Sequence, residues 1–386
     1  MHNMKKPNYA ARYNIRKTFE YNKQHGPYEK VTDKNKAIQK ALGKYGIHTD
    51  FFGFTTKLPI GVAAGSLFNT RYMDAALKDG FEVVTWKTWR SIERIAHRTD
   101  GSHVGHNIVF LPSDEITSER MGARVVGTLA YAGAPTEVSI TNSFGMPSPG
   151  PLEWMPQVAQ FEQYAHKKNK CVVTSVVVTP RSGDTLEDLA RDYAFTARCA
   201  EMMGAHIIEL NLSCPNVEGK EGMIYKTCPD ARLVAQTTRE FLTNADTKLL
   251  LKVGYASKDH YKTLLEACAP FVDGIVAINT IAMEVVDQDG KQALPGGKTS
   301  GTCGSAIIGR AVEAVEHLVA ARAELGDTAK HIKIVGCGGV TDAESFMRHV
   351  DAGAEFVMCA TAALFNPDLP MHIAKHIAAH KITKTI

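Results

Sequence analysis

The sequence lacks the long apolar runs that mark membrane proteins. No stretch of about 18 consecutive apolar residues occurs among its 386 residues, so we expect no membrane span. The first 50 residues contain no apolar segment of the kind found in secretory signals, and we expect no such signal. The formal net charge is only +3, which is too small to indicate a nucleic acid or an acidic membrane surface as partner.

Cysteine pairs with metal-ligand spacing are also absent. None of the eight cysteines forms a Cys-x-x-Cys motif, which argues against a zinc ribbon or an iron–sulfur cluster held within this chain. The fifteen histidines show no convincing metal-binding pair, and we predict no metal site. Several cysteines, including Cys337 and Cys359, lie in apolar runs, as small buried side chains do. We therefore expect free thiols and a reducing, cytoplasmic location.

Charge is distributed unevenly along the chain. Residues 1–50 contain eleven Lys and Arg against four Asp and Glu, a difference of +7, so the remainder carries about −4. The simplest interpretation is a solvated, basic N-terminal extension, and contact with a partner or an anionic surface is the alternative. No Pro- or Ser-rich linker divides the rest, so we predict one catalytic domain over residues 51–386.

From residue 58 onwards, apolar strand-like runs alternate with amphipathic helix-like segments. This alternation indicates an α/β fold with a parallel sheet covered by helices. Eight strands close a (β/α)8 TIM barrel, and a doubly wound open sheet is the alternative. The surplus length falls in 89–150 and 281–303, which are long strand-to-helix insertions at the face where barrel active sites lie. The predicted strands are 58–65, 81–88, 171–178, 205–212, 248–254, 273–279, 331–339 and 354–361.

Polar residues recur where these predicted strands end. The fourth run ends in NLSCPN (211–216), and the second and fifth contain Lys87 and Lys252 inside otherwise apolar sequence. A buried lysine is costly unless it meets an anion or an acceptor, so two lysines at equivalent places favour one shared site. The seventh run ends in the glycine pair 338–339 before a helix-like segment, an arrangement that typically binds phosphate through backbone N–H groups.

Together these motifs resemble those of the dihydroorotate dehydrogenase family of FMN-dependent barrels. The similarity covers about residues 50–370, and its most specific part is ELNLSCPNVEGK (209–220). NSFGMPSPG (142–150) resembles the family's substrate loop, and SGTCGSAIIGRAVEAV (300–315) resembles its Ser-Gly segment. IVGCGGVTDAESFMRHVDAGAEFVMCATA (334–362) is similar to the family's phosphate-binding end.

The resemblance implies a role for each matching position. Cys214 corresponds to the catalytic base, which makes the chain more similar to the soluble cysteine-base class than to the membrane class, where serine stands. Ala360 replaces a glycine that the family often has in its cofactor site. The positions that correspond to substrate ligands are Lys87, Asn142, Phe144, Gly145, Met146, Asn211, Asn216, Asn279 and Thr280. The positions that correspond to FMN ligands are Ala64, Gly65, Lys87, Thr88, Asn211, Lys252, Asn279, Gly301, Gly338, Gly339, Ala360 and Thr361.

The resemblance also implies a reaction, the oxidation of dihydroorotate to orotate in pyrimidine biosynthesis. In it, Cys214 removes a proton beside a carbonyl and the flavin takes a hydride. The polar N-terminus favours fumarate, or NAD through an iron–sulfur partner subunit, over quinone as electron acceptor. Another FMN-dependent dihydropyrimidine oxidoreductase is the alternative, although Asn216 favours dihydroorotate, and a non-catalytic flavin-binding barrel is a third. A homodimer and an iron–sulfur partner are both open.

Overall fold

The computed structural model describes residues 12–97, 106–131, 133–213 and 220–386. Its centre is a closed barrel of parallel strands, which confirms the predicted (β/α)8 fold. Every run predicted as a strand contains one strand of the barrel, and neighbours follow one another in chain order. From first to eighth, the barrel strands are Ile60–Val62, Val83–Thr85, Cys171–Val176, Ile207–Asn211, Lys248–Val253, Gly274–Ala277, Lys333–Cys337 and Phe356–Cys359.

Both faces of the barrel strands are buried, as their continuous apolar sequence requires. In the fifth barrel strand Leu249, Leu250 and Leu251 are all fully buried. Leu250 belongs to the cluster that fills the barrel interior, while its two neighbours pack outwards against the main core. The parallel register also decides which residues lie side by side near the carboxyl ends. It sets Lys252 of the fifth strand beside Asn211 of the fourth.

Amphipathic helices cover the outside of the barrel. Thr185 caps one of them by accepting a hydrogen bond from the backbone of Asp188, whose side chain bonds back to the backbone of Thr185. Short 3₁₀ turns cover Ser118–Arg120, Pro135–Glu137, Lys220–Lys226, Ser305–Ile307 and Gly326–Thr328. The α-helices are Phe19–His25, Asn35–Leu42, Thr70–Asp79, Pro151–Lys167, Leu186–Met202, Cys228–Phe241, Lys258–Cys268, Ile308–Leu325, Ala343–Asp351, Thr361–Phe365 and Leu369–Ala379.

The two long insertions fold together into a five-stranded sheet at the barrel mouth, which we call the side sheet. Sequence patterns predicted the position of these insertions but not their strands. Asn142, at the end of one strand of the side sheet, pairs with Ile108 on one side and Gly301 on the other. The side sheet therefore fixes the start of the 142–150 loop. Its strands are Ile108–Leu111, Arg124–Val126, Ser139–Asn142, Ile281–Val286 and Thr299–Gly304.

Residues 12–50 pack closely against the barrel. Arg12 forms a buried ion pair with Asp79, with its Nη2 2.7 Å from a carboxylate oxygen. The strand Gly46–Phe51 pairs with Phe54–Thr56 and with Thr383–Thr385, and its last residue contributes a ring to the barrel-interior cluster. Several apolar side chains of this basic segment are buried in the main hydrophobic core. The division of the chain at residue 50 stays a prediction.

The described part of the chain bears on two expectations, the lack of a membrane span and the presence of free thiols. None of its helices combines the length and the apolar character needed to cross a membrane. The seven cysteines within it are all free thiols, at positions 171, 199, 228, 268, 303, 337 and 359.

Candidate active site

A deep cleft lies between the carboxyl ends of the barrel strands and the side sheet. It has a volume of about 1110 Å³, counted with its open mouth. It is lined by nearly all of the site residues that the sequence predicted and the structure describes. These are Ala64, Gly65, Lys87, Thr88, Asn142, Phe144, Gly145, Met146, Asn211, Lys252, Asn279, Thr280, Gly338, Gly339, Ala360 and Thr361.

One predicted residue that the structure describes does not belong to this lining. Gly301 lies in the side sheet as the ladder partner of Asn142, and its carbonyl accepts a hydrogen bond of 3.0 Å from the Thr141 hydroxyl. Cys214 and Asn216 lie outside the described residues. Their roles stay predictions from the NLSCPN motif. The chain before them is held at the cleft, because the Asn279 side-chain amide donates to the carbonyl of Ser213.

A chain of hydrogen bonds orients the carboxamides of the cleft. The Asn211 amide donates to the Thr88 hydroxyl over 3.3 Å, and its oxygen accepts from the Asn279 amide over 3.2 Å. The Asn279 oxygen accepts in turn from the backbone N–H of Thr280 at 2.9 Å. Below them, the Tyr193 hydroxyl donates to the Asn211 carbonyl at 2.8 Å. Both carboxamides are thereby held in a fixed orientation.

Lys87 follows the second barrel strand and lies among aromatic rings. Its Nζ is 4.9 Å from the ring centre of Phe144, 5.5 Å from that of Phe19 and 6.0 Å from that of Phe68. The negative faces of aromatic rings attract a cation at such distances. Phe19 belongs to the N-terminal segment and was missed by the sequence analysis, because no local motif signals a contact so distant along the chain.

Lys252 lies deeper, 3% exposed, with its Nζ 3.5 Å from the Cys337 sulfur. Burial opposes its charge, but the Cys337 sulfur and the carboxyl of Glu209 outweigh burial, so the pKa of Lys252 is raised. Burial raises the pKa of the Cys337 thiol, and the neighbouring Lys252 ammonium opposes this rise. Lys252 is a second cation facing the cleft, as its place in an apolar strand predicted.

The end of the cleft beyond the seventh and eighth strands is built from backbone. Gly338 and Gly339 have φ of 111° and 77°, and a Cβ on Gly339 would lie 2.3 Å from the Cα of Ile308. The ring of His349 bonds to the Gly338 carbonyl at 2.9 Å. Burial lowers the pKa of His349 to about 4, so the neutral ring carries its proton on Nε2 and donates it. This histidine, which sequence patterns did not single out, fixes the glycine turn.

The 142–150 loop is held from behind by buried polar side chains. The Arg90 guanidinium is fully buried and donates from Nε to the Met146 carbonyl at 3.0 Å. Asn107 donates to the Ser143 carbonyl at 3.1 Å and accepts from the backbone N–H of Phe19 at 2.8 Å. One carboxamide therefore ties the N-terminal segment to this loop, a link that the sequence does not reveal.

Charge distinguishes what the cleft can bind. The lining contributed by the described residues contains the two ammonium groups and no carboxylate. Within the same portion of the chain no group of three or more His, Cys, Asp or Glu side chains is placed to bind a metal ion. The Thr361 hydroxyl is buried in the same lining. A cleft whose described lining carries two ammonium groups, several carboxamides and no carboxylate suits an anionic ligand with hydrogen-bonding groups.

Comparison with known proteins agrees with this geometry. The sequence profile of the dihydroorotate dehydrogenase family matches residues 130–380. A dihydroorotate dehydrogenase of Dictyostelium discoideum is 32% identical over 93% of this chain and 95% of its own length. The catalytic subunit of a dihydroorotate dehydrogenase B (NAD(+)) of Desulforudis audaxviator is 26% identical over 66% of this chain and 78% of its own. A putative dihydroorotate dehydrogenase A (fumarate) of Aquifex aeolicus is 28% identical over 63% and 72%. As the resemblance of its motifs predicted, the chain belongs to the dihydroorotate dehydrogenase family.

Proposed function

We propose that the chain is an oxidoreductase acting on a CH–CH bond, which oxidises dihydroorotate to orotate in pyrimidine biosynthesis with FMN as cofactor. The observation that carries the proposal is the composition of the cleft. The described lining contains two cations and several carboxamides, and it contains no carboxylate. Dihydroorotate carries one carboxylate on a ring whose rim alternates N–H and C=O, so its hydrogen-bonding groups and its charge match this set.

The described residues fit FMN at the glycine end of the cleft. The positive φ of Gly338 and Gly339 and the buried hydroxyl of Thr361 support a phosphate there. Lys252 would supply a cation to the cofactor, and the apolar wall suits a flat aromatic group. When bound, FMN supplies the hydride acceptor that the reaction needs. The residues that we expect to hold it are those predicted from the sequence, with Gly301 supporting the site from the side sheet.

The residues around the substrate have a separate task. We expect Asn142, Asn211 and Asn279 to bind the ring edge and Thr280, whose buried hydroxyl makes no hydrogen bond to a described residue, to complete the set. Lys87 supplies a positive charge for an anion. Phe144 and its loop cover the ring. A substrate held on several oriented groups reacts without a further search for the productive geometry.

We assign proton removal to Cys214, on the motif alone. A thiol of ordinary pKa, about 8.5, is a few per cent thiolate at pH 7, which is enough for a base held next to the acidic carbon. Asn211 and Asn279 hold Ser213, the residue before it, at the cleft. The base therefore follows directly on a segment that the carboxamide network fixes.

For the electron acceptor, we propose fumarate, or NAD through an iron–sulfur partner subunit, and a cytoplasmic location. The relatives above carry names for both acceptors. Free thiols at every described cysteine suit a reducing compartment. Assays of the purified chain with fumarate, NAD⁺ and a short-chain quinone distinguish the three. Turnover with fumarate alone indicates an independent enzyme, and turnover with none indicates a missing partner.

The decisive experiment is an anaerobic titration of the purified protein. We expect a flavin absorption spectrum that is bleached by dihydroorotate and not by dihydrouracil, because dihydrouracil has no carboxylate for the cationic cleft. Bleaching by dihydrouracil instead would favour another dihydropyrimidine oxidoreductase. A flavin that neither compound bleaches would contradict the proposed activity, and a colourless protein that does not take up FMN would contradict the cofactor.

A further inference from the structure

Glu209 is a buried acid that the reaction described above does not use. It lies in the middle of the fourth barrel strand, is fully buried, and neither carboxyl oxygen has a hydrogen-bond partner among the described residues. Ile207, two residues earlier, packs in the barrel interior, and Asn211, two residues later, lines the cleft. Since alternate strand residues share a face, Glu209 lies inside the barrel just beneath the cleft.

The neighbouring strand supplies a cation on the same face. Glu209 is paired with Leu250, and Lys252 follows two residues later on the same side of the fifth strand. The other titratable group beside Lys252 is Cys337 of the seventh strand, while the sixth strand, Gly274–Ala277, has none. The remaining titratable side chains of the described lining are Lys87 and Cys303. Glu209 is thus the acidic side chain that acts on Lys252.

Taking the proposed function as given, we propose that Glu209 is a positioning residue that keeps Lys252 an ammonium group facing the FMN site. An uncompensated carboxylate inside a barrel is strongly unfavourable, and so is an uncompensated ammonium. Placed on the same face of adjacent strands, the two compensate each other without direct contact. The pair leaves the ammonium hydrogens free for the Cys337 sulfur and for the cofactor.

The proposal predicts a pH dependence whose sign follows from burial. In Glu209→Gln one of the groups that raise the pKa of Lys252 is lost while the burial that lowers it remains, so the pKa of Lys252 falls relative to wild type. The Lys252 charge is then lost as the pH rises through the lowered pKa. FMN binding by the variant, relative to wild type at the same pH, should therefore weaken from pH 6 to pH 9.5. We expect the ratio of dissociation constants to grow at least about tenfold over that range.

The test measures FMN dissociation by flavin fluorescence on holoenzyme prepared from four variants. They are Glu209→Gln, Lys252→Met, the double variant and Thr85→Val, a control that removes a fully buried barrel hydroxyl without altering charge. If the two residues act together, the pH-dependent loss caused by Glu209→Gln disappears in the Lys252→Met background. Thr85→Val should follow wild type at every pH. A fifth variant, Glu209→Asp, keeps the charge and should retain most of the wild-type binding at pH 9.5. It is measured in place of Glu209→Gln if that variant does not fold.

Two results would overturn the inference. One is a ratio for Glu209→Gln that stays constant from pH 6 to 9.5. The other is an equal pH-dependent loss with and without Lys252, which would make Glu209 merely structural. Either result, in a wild-type protein that binds FMN and oxidises dihydroorotate, leaves the proposed function intact. A wild type that does not bind FMN at any pH removes both.

Discussion

The ammonium nitrogen of Lys87 lies 4.9 Å from the centre of the Phe144 ring. The contact joins a cation at the mouth of the barrel to the loop that starts in the side sheet. Phe19 brings a third element, the N-terminal segment, against the same ammonium and packs on Phe144 with ring centres 5.1 Å apart. We therefore expect substrate binding in the proposed reaction to depend on contacts among three parts of the chain that are distant in sequence.

Replacing Phe144 tests this contact. In Phe144→Leu the apolar volume is largely kept but the cation–π attraction, about 0.5–1 kcal/mol, is lost. We expect the KM for dihydroorotate to rise about 2–5-fold while kcat changes less. Steady-state kinetics measure both constants. Phe241→Leu, at a ring that is 47% exposed at the end of an outer helix, is the control and should match wild type. An unchanged KM in Phe144→Leu would show that the ring contact does not contribute to binding.

Asn107 is the link between the N-terminal segment and the 142–150 loop. Asn107→Ala leaves the carbonyl of Ser143 and the backbone N–H of Phe19 without their partner, and each buried unpaired group costs about 1–3 kcal/mol. We expect a lower midpoint of thermal unfolding and a KM for dihydroorotate that rises more than kcat falls. Asn107→Asp keeps the acceptor for Phe19 and loses the donor, so its KM should resemble that of the alanine variant. A normal KM in both variants would mean that the loop is ordered without this link.

The barrel could be predicted from sequence because its signal is local. Continuous apolar runs such as LLL (249–251), bounded by polar residues, indicate strands buried on both faces, and eight of them in alternation with helices leave few other folds. Lys252 was predictable for the same reason, since a charge inside such a run requires a partner. The strand Arg124–Val126 was not, because it is three residues long, partly exposed and paired with a strand that is distant in sequence.

The supporting residues of the site were harder to predict than its lining. Asn211 and Gly338 stand in motifs, whereas Asn107 and His349 act through backbone carbonyls that only the folded chain brings to them. For a histidine in a helix, such as His349 in Ala343–Asp351, no sequence feature distinguishes a buried hydrogen-bond donor from an exposed ring. The structure makes that distinction through full burial of His349 and its contact with Gly338.

His349 should make stability depend on pH. Its pKa is lowered to about 4 in the folded protein, against about 6.5 when unfolded, so the unfolded chain binds more protons between these values. The stability contribution of the neutral ring is fully present above pH 6.5 and is lost as the pH falls towards 4. We expect the free energy of unfolding to decrease by roughly 3 kcal/mol over this window from this residue. Urea unfolding at pH 4–7 measures it.

The matched variant is His349→Gln, whose side-chain amide can still donate to the Gly338 carbonyl but does not titrate. Its free energy of unfolding should fall less than that of wild type between pH 6.5 and 4, and its FMN affinity should stay close to normal. His349→Leu should lose FMN affinity at all pH values, because the glycine turn is no longer tied. Equal pH dependence in wild type and His349→Gln would place the acid sensitivity elsewhere.

Cys214 is tested by the rate of the half-reaction. Cys214→Ala should retain FMN but slow flavin bleaching by dihydroorotate by about 10²–10⁴-fold, the usual contribution of a general base. In wild type, the rate should rise with pH and level off near the pKa of the thiol, about 8.5 if it is unperturbed and lower if a cation lies beside it. Stopped-flow single-turnover measurements from pH 6 to 10 give both results.

Cys228→Ser, at a buried thiol outside the cleft lining, is the control and should bleach at the wild-type rate. A rate that survives in Cys214→Ala would remove this residue from the mechanism, whereas a plateau already reached at pH 6 would keep it as a thiolate of strongly lowered pKa.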